Sequence, residues 1–154
     1  MKELTARPVV TVATIVEREG RYLLVEEETR DGLRLNQPAG HLEAGETLAD
    51  AAARETLEET GWEVDPYALV GIYRWEPLPN QATFVRMTFG AAARRHDGAR
   101  PLDVGIVRAL WLTYEELLGT RERHRSPLVL RCVDDFRAGR RFPLDIVVEM
   151  QSDG

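Results

Sequence analysis

Short runs rich in β-branched and aromatic residues recur along the chain and predict β-strands. The first two runs flank a Glu17–Gly20 turn and predict a β-hairpin, and a second turn at Thr29–Gly32 leads to a short segment at residues 33–37. Residues 38–40 are expected to form a loop, and residues 144–148 a final extended piece. The main predicted strands are residues 9–16, 21–26, 67–75, 82–92 and 104–112.

Helical spacing of apolar residues and local start signals predict three helices. The first runs from about Leu48 to Thr60, because Thr47 and Asp50 resemble a capping box and Gly61 is placed to end the last turn. A second capping box opens a short helix after residue 113, and Ser126-Pro127 opens a third that continues to residue 136. Strands and helices together predict an α+β fold with a mixed sheet.

Three carboxylates interrupt the stripe of the first helix that is expected to face inward. Glu55, Glu58 and Glu59 are spaced i, i+3 and i+4, so they repel one another near the unfavourable C-terminal end of the helix dipole. A hard divalent cation, Mg²⁺ with Mn²⁺ as the alternative, fits such an oxygen-only ligand set. A solvated acidic face is the other interpretation. The predicted inward stripe is Leu48, Ala51, Ala52, Glu55, Glu58, Glu59 and Trp62.

Composition restricts the classes of function. The 154 residues predict a single domain, residues 1–154, and the formal net charge of −6 argues against binding of a nucleic-acid polymer. The single cysteine, Cys132, lies among apolar residues and is interpreted as core. No apolar run reaches the ~18 residues that cross a bilayer, so neither membrane insertion nor export is expected, and the location is expected to be cytoplasmic. A small phosphorylated substrate fits this balance better.

The spacing around the acidic helix adds to this picture. Gly40, Glu46, Arg54-Glu55, Glu58-Glu59 and Gly61 follow one another with the spacing of the Nudix box, G-x5-E-x7-R-E-U-x-E-E-x-G-U, which the sequence resembles at every charged and glycine position. Thr56 and Trp62 depart from the box at its two bulky aliphatic positions. Residues 36–43, 125–129 and 139–144 also resemble the NudJ branch of the Nudix hydrolases.

That resemblance implies an α/β/α Nudix sandwich and metal-dependent hydrolysis of phosphoanhydride bonds in nucleoside tri- or diphosphates and related pyrophosphates. Thiamine pyrophosphate or its hydroxymethylpyrimidine pyrophosphate precursor is a further implied substrate. A general nucleotide-sugar or dinucleotide pyrophosphatase is the alternative enzyme, and a non-catalytic ligand sensor the alternative class. The chain is expected to act as a monomer or homodimer.

The resemblance also assigns residues. Glu55, Glu58 and Glu59 would ligate the metal with the Gly40 carbonyl, and either Glu55 or Glu59 could be the base. Arg54 and Glu46 would form a structural pair in which the arginine positions a catalytic glutamate. Asp103 is a candidate ligand outside the box, although Gly105 stands where acids are often found.

Substrate contacts are expected from a basic segment before the third helix. The segment contains Arg121, Arg123, His124 and Arg125 and precedes a helix N-terminus, where free N–H groups favour anions. A solvated basic loop is the alternative interpretation. The aromatic residues Tyr73, Trp75 and Phe84 alternate in strands and are interpreted as core in preference to a base-stacking platform.

Overall fold

The computed structural model describes residues 7–79 and 81–152, so the predicted domain bounds at residues 1 and 154 lie outside the described residues. Two sheets and three α-helices are present in this part of the chain. The strands are β1 (Val9–Ile15), β2 (Glu17–Arg18), β3 (Arg21–Thr29), β4 (Gly32–Asn36), β5 (Ala39–His41), β6 (Trp62–Trp75), β7 (Phe84–His96) and β8 (Ile106–Thr113). The helices are α1 (Leu48–Thr60), α2 (Tyr114–Gly119) and α3 (Leu128–Arg137), with 3₁₀ turns at Arg121–Arg123 and Leu144–Ile146.

The first sheet has the strand order β5-β1-β7-β6, and its central pair, β1 with β7, is parallel while the outer pairs are antiparallel. In the second sheet β3 pairs antiparallel with β2, β4 and β8. The mixed sheet predicted from the sequence is therefore confirmed.

Helix α1 packs on one face of the first sheet, where Ala51 and Ala52 contact Val12, Leu69 and Phe89. The opposite face, which carries Ile15 and Val70, packs with α3 and the second sheet around a cluster that includes Cys132 and Phe136. Cys132 is fully buried, which confirms its interpretation as core. The helices thus enclose the sheets from two sides in an α/β/α sandwich.

The bounds of α1 are those predicted. The Thr47 hydroxyl oxygen accepts a hydrogen bond from the Asp50 N–H at 3.1 Å, and Gly61 ends the helix with φ +78°. Helix α2 opens with the predicted capping box between Thr113 and Glu116. Helix α3 begins at Leu128, whose N–H donates to the Ser126 hydroxyl at 3.2 Å.

The buried face of α1 differs from the predicted stripe. Thr56 and Thr60 are buried, whereas Glu55 and Glu58 remain partly exposed. The Thr56 hydroxyl lies 2.8 Å from the Thr14 hydroxyl and donates to the Ala52 carbonyl at 2.7 Å. These bonds explain how a threonine fits a position where the Nudix pattern has a bulky aliphatic residue, because its buried polar atom is satisfied.

The predicted hairpin of residues 9–16 with 21–26 is wrong. The short strand β2, and not β1, pairs with β3 across this turn, and the chain passes from one sheet to the other at Val16, whose carbonyl accepts from the Leu23 N–H at 3.0 Å. A β-branched run specifies a strand but not its partner, and β1 finds its partners in β5 and β7.

Other boundaries also move. The predicted loop at 38–40 forms β5, because residues 39–41 pair with β1. Strands β6 and β7 are longer than predicted because they pair along most of their length, which extends β7 to His96, beyond its predicted end at residue 92. The predicted extended piece at 144–148 instead contains a 3₁₀ turn after Pro143. No helix in the described residues is long and apolar enough to cross a membrane.

Candidate active site

The carboxylates of α1 lie beside β5, and Gly40 allows this approach. A Cβ atom at Gly40 would lie 2.1 Å from the carboxyl carbon of Glu55, so any side chain there would displace that carboxylate. The box spacing thus has a steric basis at its first glycine. Burial raises the pKa of Glu55, and the neighbouring Arg54 works against that rise.

Glu59 is the most buried of the three carboxylates, with 8% of its surface exposed. One of its oxygens accepts a hydrogen bond from the Ala39 N–H at 2.9 Å. Burial is the main cause that raises the pKa of Glu59 to about 8, and the nearby charge of Glu55 adds to it. This group would gain most from a cation, because a cation stabilises the ionised form that burial disfavours.

Arg54 connects the loop before α1 to the helix. Its Nε and one terminal nitrogen donate to the two carboxylate oxygens of Glu46 at 2.9 and 2.8 Å, so the predicted pair is present and bidentate. The other terminal nitrogen contacts Glu55 at 3.0 Å and Glu58 at 3.2 Å. One guanidinium therefore fixes the position of both partly exposed carboxylates.

Asp103 joins this group from outside the box. Carboxylate oxygens of Glu55, Glu58 and Asp103 lie within 4.8 Å of one another, an arrangement that could hold a metal ion. The Asp103 N–H donates to the Glu58 carbonyl at 3.0 Å, and Gly105 completes the turn with φ +92°. The backbone of this turn is thus fastened to the end of α1, which brings the fourth carboxylate to the site.

A cavity of about 490 Å³ opens beside the carboxylates. Glu55 and Glu59 line it together with Gly40, whereas Glu58 is not among its lining residues. The floor is the face of the first sheet opposite α1. The lining residues are Thr11, Glu27, Asn36, Ala39, Gly40, His41, Glu55, Glu59, Trp75, Pro77, Phe84, Arg86, Arg125, Ser126 and Leu128.

The basic segment divides around this cavity. Arg125 lines it and pairs with Glu27 at 3.1 Å. Arg123 instead forms an ion pair with the buried Glu26, and His124 lies 3.3 Å from the Thr120 hydroxyl, with its pKa lowered by burial. Of the predicted substrate contacts, the structure brings Arg125 to the cavity, whereas Arg121, Arg123 and His124 are not among its lining residues.

Two aromatic residues of the cavity wall were interpreted as core, and that interpretation is wrong for them. Trp75 and Phe84 are partly exposed, face each other across β6 and β7, and line the cavity. Tyr73 does pack against the core, and its hydroxyl donates to Asp135 at 2.8 Å. Sequence reasoning missed Asn36 and Arg86, although alternation along β7 would have placed Arg86 and Phe84 on one face.

Residues 5–132 match the family model of the NUDIX domain. The chain belongs to the Nudix family. It is 39% identical to Phosphatase NudJ of Escherichia coli strain K12 over 141 residues, which cover 92% of this chain and 91% of that protein. The solved structure of a NUDIX hydrolase from Nitrosomonas europaea is 47% identical, with a TM-score of 0.90 and coverage of 94% of this chain and 98% of that one. The chain is therefore a Nudix hydrolase.

Solved structures of lower sequence identity show that the fold is shared, and no more than that. The MutT protein from Methanosarcina mazei Go1 is 22% identical with a TM-score of 0.71, and covers 90% of this chain and 99% of that chain. At this identity the shared sandwich says nothing about the substrate of the present Nudix hydrolase.

The bidentate geometry of Arg54 gives a testable prediction for this Nudix hydrolase. Arg54→Lys should lower activity by about tenfold or more but shift the melting temperature little, because lysine cannot contact Glu46 bidentately and reach Glu55 at once. Steady-state kinetics and thermal unfolding of the two proteins measure the difference. Arg131→Lys, in an exposed pair with Asp135, is the matched control. Full activity in Arg54→Lys would mean that the arginine forms surface ion pairs but does not position Glu55 for the reaction.

Proposed function

We propose that the protein hydrolyses phosphoanhydride bonds with the help of a divalent cation, Mg²⁺ or alternatively Mn²⁺, held by Glu55, Glu58, Glu59 and the Gly40 carbonyl. Nucleoside tri- or diphosphates and related pyrophosphates are the proposed substrates, and thiamine pyrophosphate or hydroxymethylpyrimidine pyrophosphate are included among them. The observation that carries the proposal is the group of carboxylates beside a cavity that also presents Arg125. Asp103 is added to the proposed ligands.

The residues present fit a hard cation. The close group offers only carboxylate oxygens, which suits magnesium, manganese or calcium better than zinc. When bound, such an ion neutralises phosphate charge and lowers the pKa of water. Among the residues that the structure describes, Arg54 forms ion pairs with Glu55 and Glu58 and offsets part of their negative charge. The remaining excess of carboxylates supports a further positive partner.

The chain itself would position the substrate. Arg125, which precedes α3 in the chain, provides a cation on the cavity wall, where a phosphate oxygen could accept its hydrogen bond. Glu55 and Glu59 both reach the cavity, and either could accept a proton from the attacking water. Arg54 would hold Glu55 in place during the reaction.

A substrate panel tests the proposal. The purified protein is incubated with nucleoside triphosphates, nucleoside diphosphates, thiamine pyrophosphate, nucleotide-sugars and dinucleotides, with magnesium and with a chelator. We expect magnesium-dependent turnover of at least one tri- or diphosphate, and the assay of orthophosphate against pyrophosphate shows which bond breaks. Preferred cleavage of nucleotide-sugars or dinucleotides would support the alternative enzyme, and binding without turnover would support a ligand sensor.

We also propose that the chain acts as one domain, as a monomer or homodimer in the cytoplasm, without a nucleic-acid polymer or membrane as partner. The formal net charge of −6 supports a small anion held by local cations over a polymer that needs many phosphate contacts. Size-exclusion chromatography with light scattering determines the oligomeric state.

Arg125 provides a second prediction. Arg125→Ala should raise KM for a diphosphate substrate by about tenfold to a hundredfold, because it removes one charge-assisted hydrogen bond worth roughly 1.5–3 kcal/mol. Magnesium affinity should stay nearly unchanged. The measurement is a substrate titration at saturating magnesium, with Arg121→Ala from the same exposed segment as control. Unchanged KM and kcat would show that Arg125 serves only its pair with Glu27.

A further inference from the structure

We propose that the cavity contains a ring-binding subsite formed by Asn36, Arg86, Trp75 and Phe84, which binds a planar heteroaromatic group presenting two adjacent hydrogen-bond acceptors. The inference deepens the proposed function, because it names the part of the substrate that the carboxylates and Arg125 do not contact. Its geometry, however, is independent of any metal.

Arg86 is the first observation. Its side chain lies on β7, lines the cavity and is 7% exposed, so a full positive charge is almost completely buried. Within residues 7–79 and 81–152, its side-chain partners are the neutral amide oxygens of Gln37 at 2.9 Å and Asn36 at 3.1 Å. Burying a cation is costly unless other groups compensate the charge. These bonds use two of the five guanidinium N–H groups, and because Arg86 lines the cavity, we infer that a remaining N–H group can donate to a ligand there.

The bonds of Arg86 also orient the two amides. Both polar atoms of the Gln37 side chain are bonded, because its oxygen accepts from Arg86 and its nitrogen donates to the Val129 carbonyl at 2.7 Å. The oxygen of Asn36 faces Arg86, and its amide nitrogen therefore turns away from the guanidinium. No buried side-chain nitrogen or oxygen in the described residues lacks a hydrogen-bond partner, so this unpaired nitrogen is accessible. Asn36 lines the cavity and presents a donor there, and Arg86 is its positioning residue.

Trp75 and Phe84 supply the apolar wall. They are directly paired across β6 and β7, and Phe84 lies two residues before Arg86, so its side chain projects from the same face of the sheet. Both aromatic side chains are partly exposed and line the cavity. Aromatic faces beside hydrogen-bond donors are suited to a flat heteroaromatic ring. The ring stacks on the aromatic side chains, and the donors fix its orientation.

The donors on this wall determine which ring edge fits. Asn36 and Arg86 both donate, so an edge with two adjacent acceptors can satisfy both, while an edge with one acceptor and one donor leaves a donor facing a donor. Guanine presents such a pair in N7 and O6, whereas adenine presents N7 beside the N6 amino group. Guanosine and adenosine monophosphates are therefore matched probes for the edge, and ribose 5-phosphate is a probe without the ring.

The experiment measures equilibrium binding of these three probes by titration calorimetry in the presence of a chelator. The wild-type protein should bind guanosine monophosphate about tenfold more tightly than adenosine monophosphate. Asn36→Asp should abolish this preference, because the new carboxylate offers no donor and pairs with Arg86. The added negative charge weakens the binding of every anionic probe. Ribose 5-phosphate carries the phosphate without the ring, so its loss of affinity measures this general effect and is subtracted. The melting temperature should not fall, since the buried cation gains a partner.

Arg86→Gln is the second variant, and Arg95→Gln on the same strand, in an exposed pair with Glu63, is its control. Arg86→Gln should reduce the ratio of guanosine to adenosine affinity, while Arg95→Gln should leave it at the wild-type value. Equal affinity of the wild-type protein for both nucleotides, or a ratio that both cavity variants retain, would overturn the subsite. If the wild-type protein prefers guanosine monophosphate but hydrolyses no compound of the substrate panel, the proposed function is wrong and the subsite is still supported.

Discussion

Glu58→Gln should lower kcat for a phosphoanhydride substrate by at least about two orders of magnitude, with the fold intact. Glutamine keeps the shape of the side chain but removes the charge that would bind a divalent ion together with Glu55 and Asp103. The side chain is partly exposed, and its contact with Arg54 at 3.2 Å is one of several that Arg54 makes. Stability should therefore change little while turnover collapses.

The control for this prediction is Glu63→Gln, which removes a carboxylate from an exposed ion pair with Arg95 on the first sheet. Exposed pairs contribute only about 0–1 kcal/mol, so that variant should keep both its activity and its melting temperature. Turnover is measured over a magnesium titration, because weakened ion binding raises the magnesium concentration needed for half activity. Wild-type kinetics in Glu58→Gln at every magnesium concentration would remove this residue from the site.

The central helix could be predicted from sequence because its determinants are local. Thr47 and Gly61 are adjacent to the helix ends that they determine. The helical period then places the three glutamates close together. The pairing of Arg54 with Glu46, by contrast, was predicted from the resemblance to the Nudix box and not from helical spacing. The predicted buried face was wrong at Glu55 and Glu58, because Thr56 and Thr60 take the buried positions and their hydroxyls donate to backbone carbonyls there.

The cavity could not be predicted in this way, because strands distant in sequence build it. Arg86 lies between Thr11 of β1 and Tyr73 of β6 only through the registers of both pairs. Its bond to Asn36 crosses from one sheet to the other. The position of Asp103 depends on a backbone bond to the end of α1. Period and spacing within one segment carry no information about such contacts.

Glu59→Gln should inactivate the enzyme and at the same time stabilise the metal-free protein at alkaline pH. Burial holds the pKa of Glu59 at about 8 in the folded state, above the ordinary value of 4.5. Between these values the unfolded chain releases the proton that the folded chain retains, so wild-type stability falls as pH rises through that window. Glutamine has no proton to release, and it keeps an oxygen to accept from the Ala39 N–H.

The difference in unfolding free energy between Glu59→Gln and wild type should therefore be small near about pH 5 and grow to the order of a few kcal/mol near about pH 8. Thermal and urea unfolding with a chelator, repeated across this range, measure it. Glu122→Gln, an exposed carboxyl, should show no such trend. Magnesium should reduce this difference in unfolding free energy, because it stabilises the wild-type protein through the ionised carboxylate that Glu59→Gln lacks. If the difference in unfolding free energy between the two proteins is the same at every pH in the chelator, Glu59 ionises freely in the folded protein and is not the buried carboxyl that this site requires.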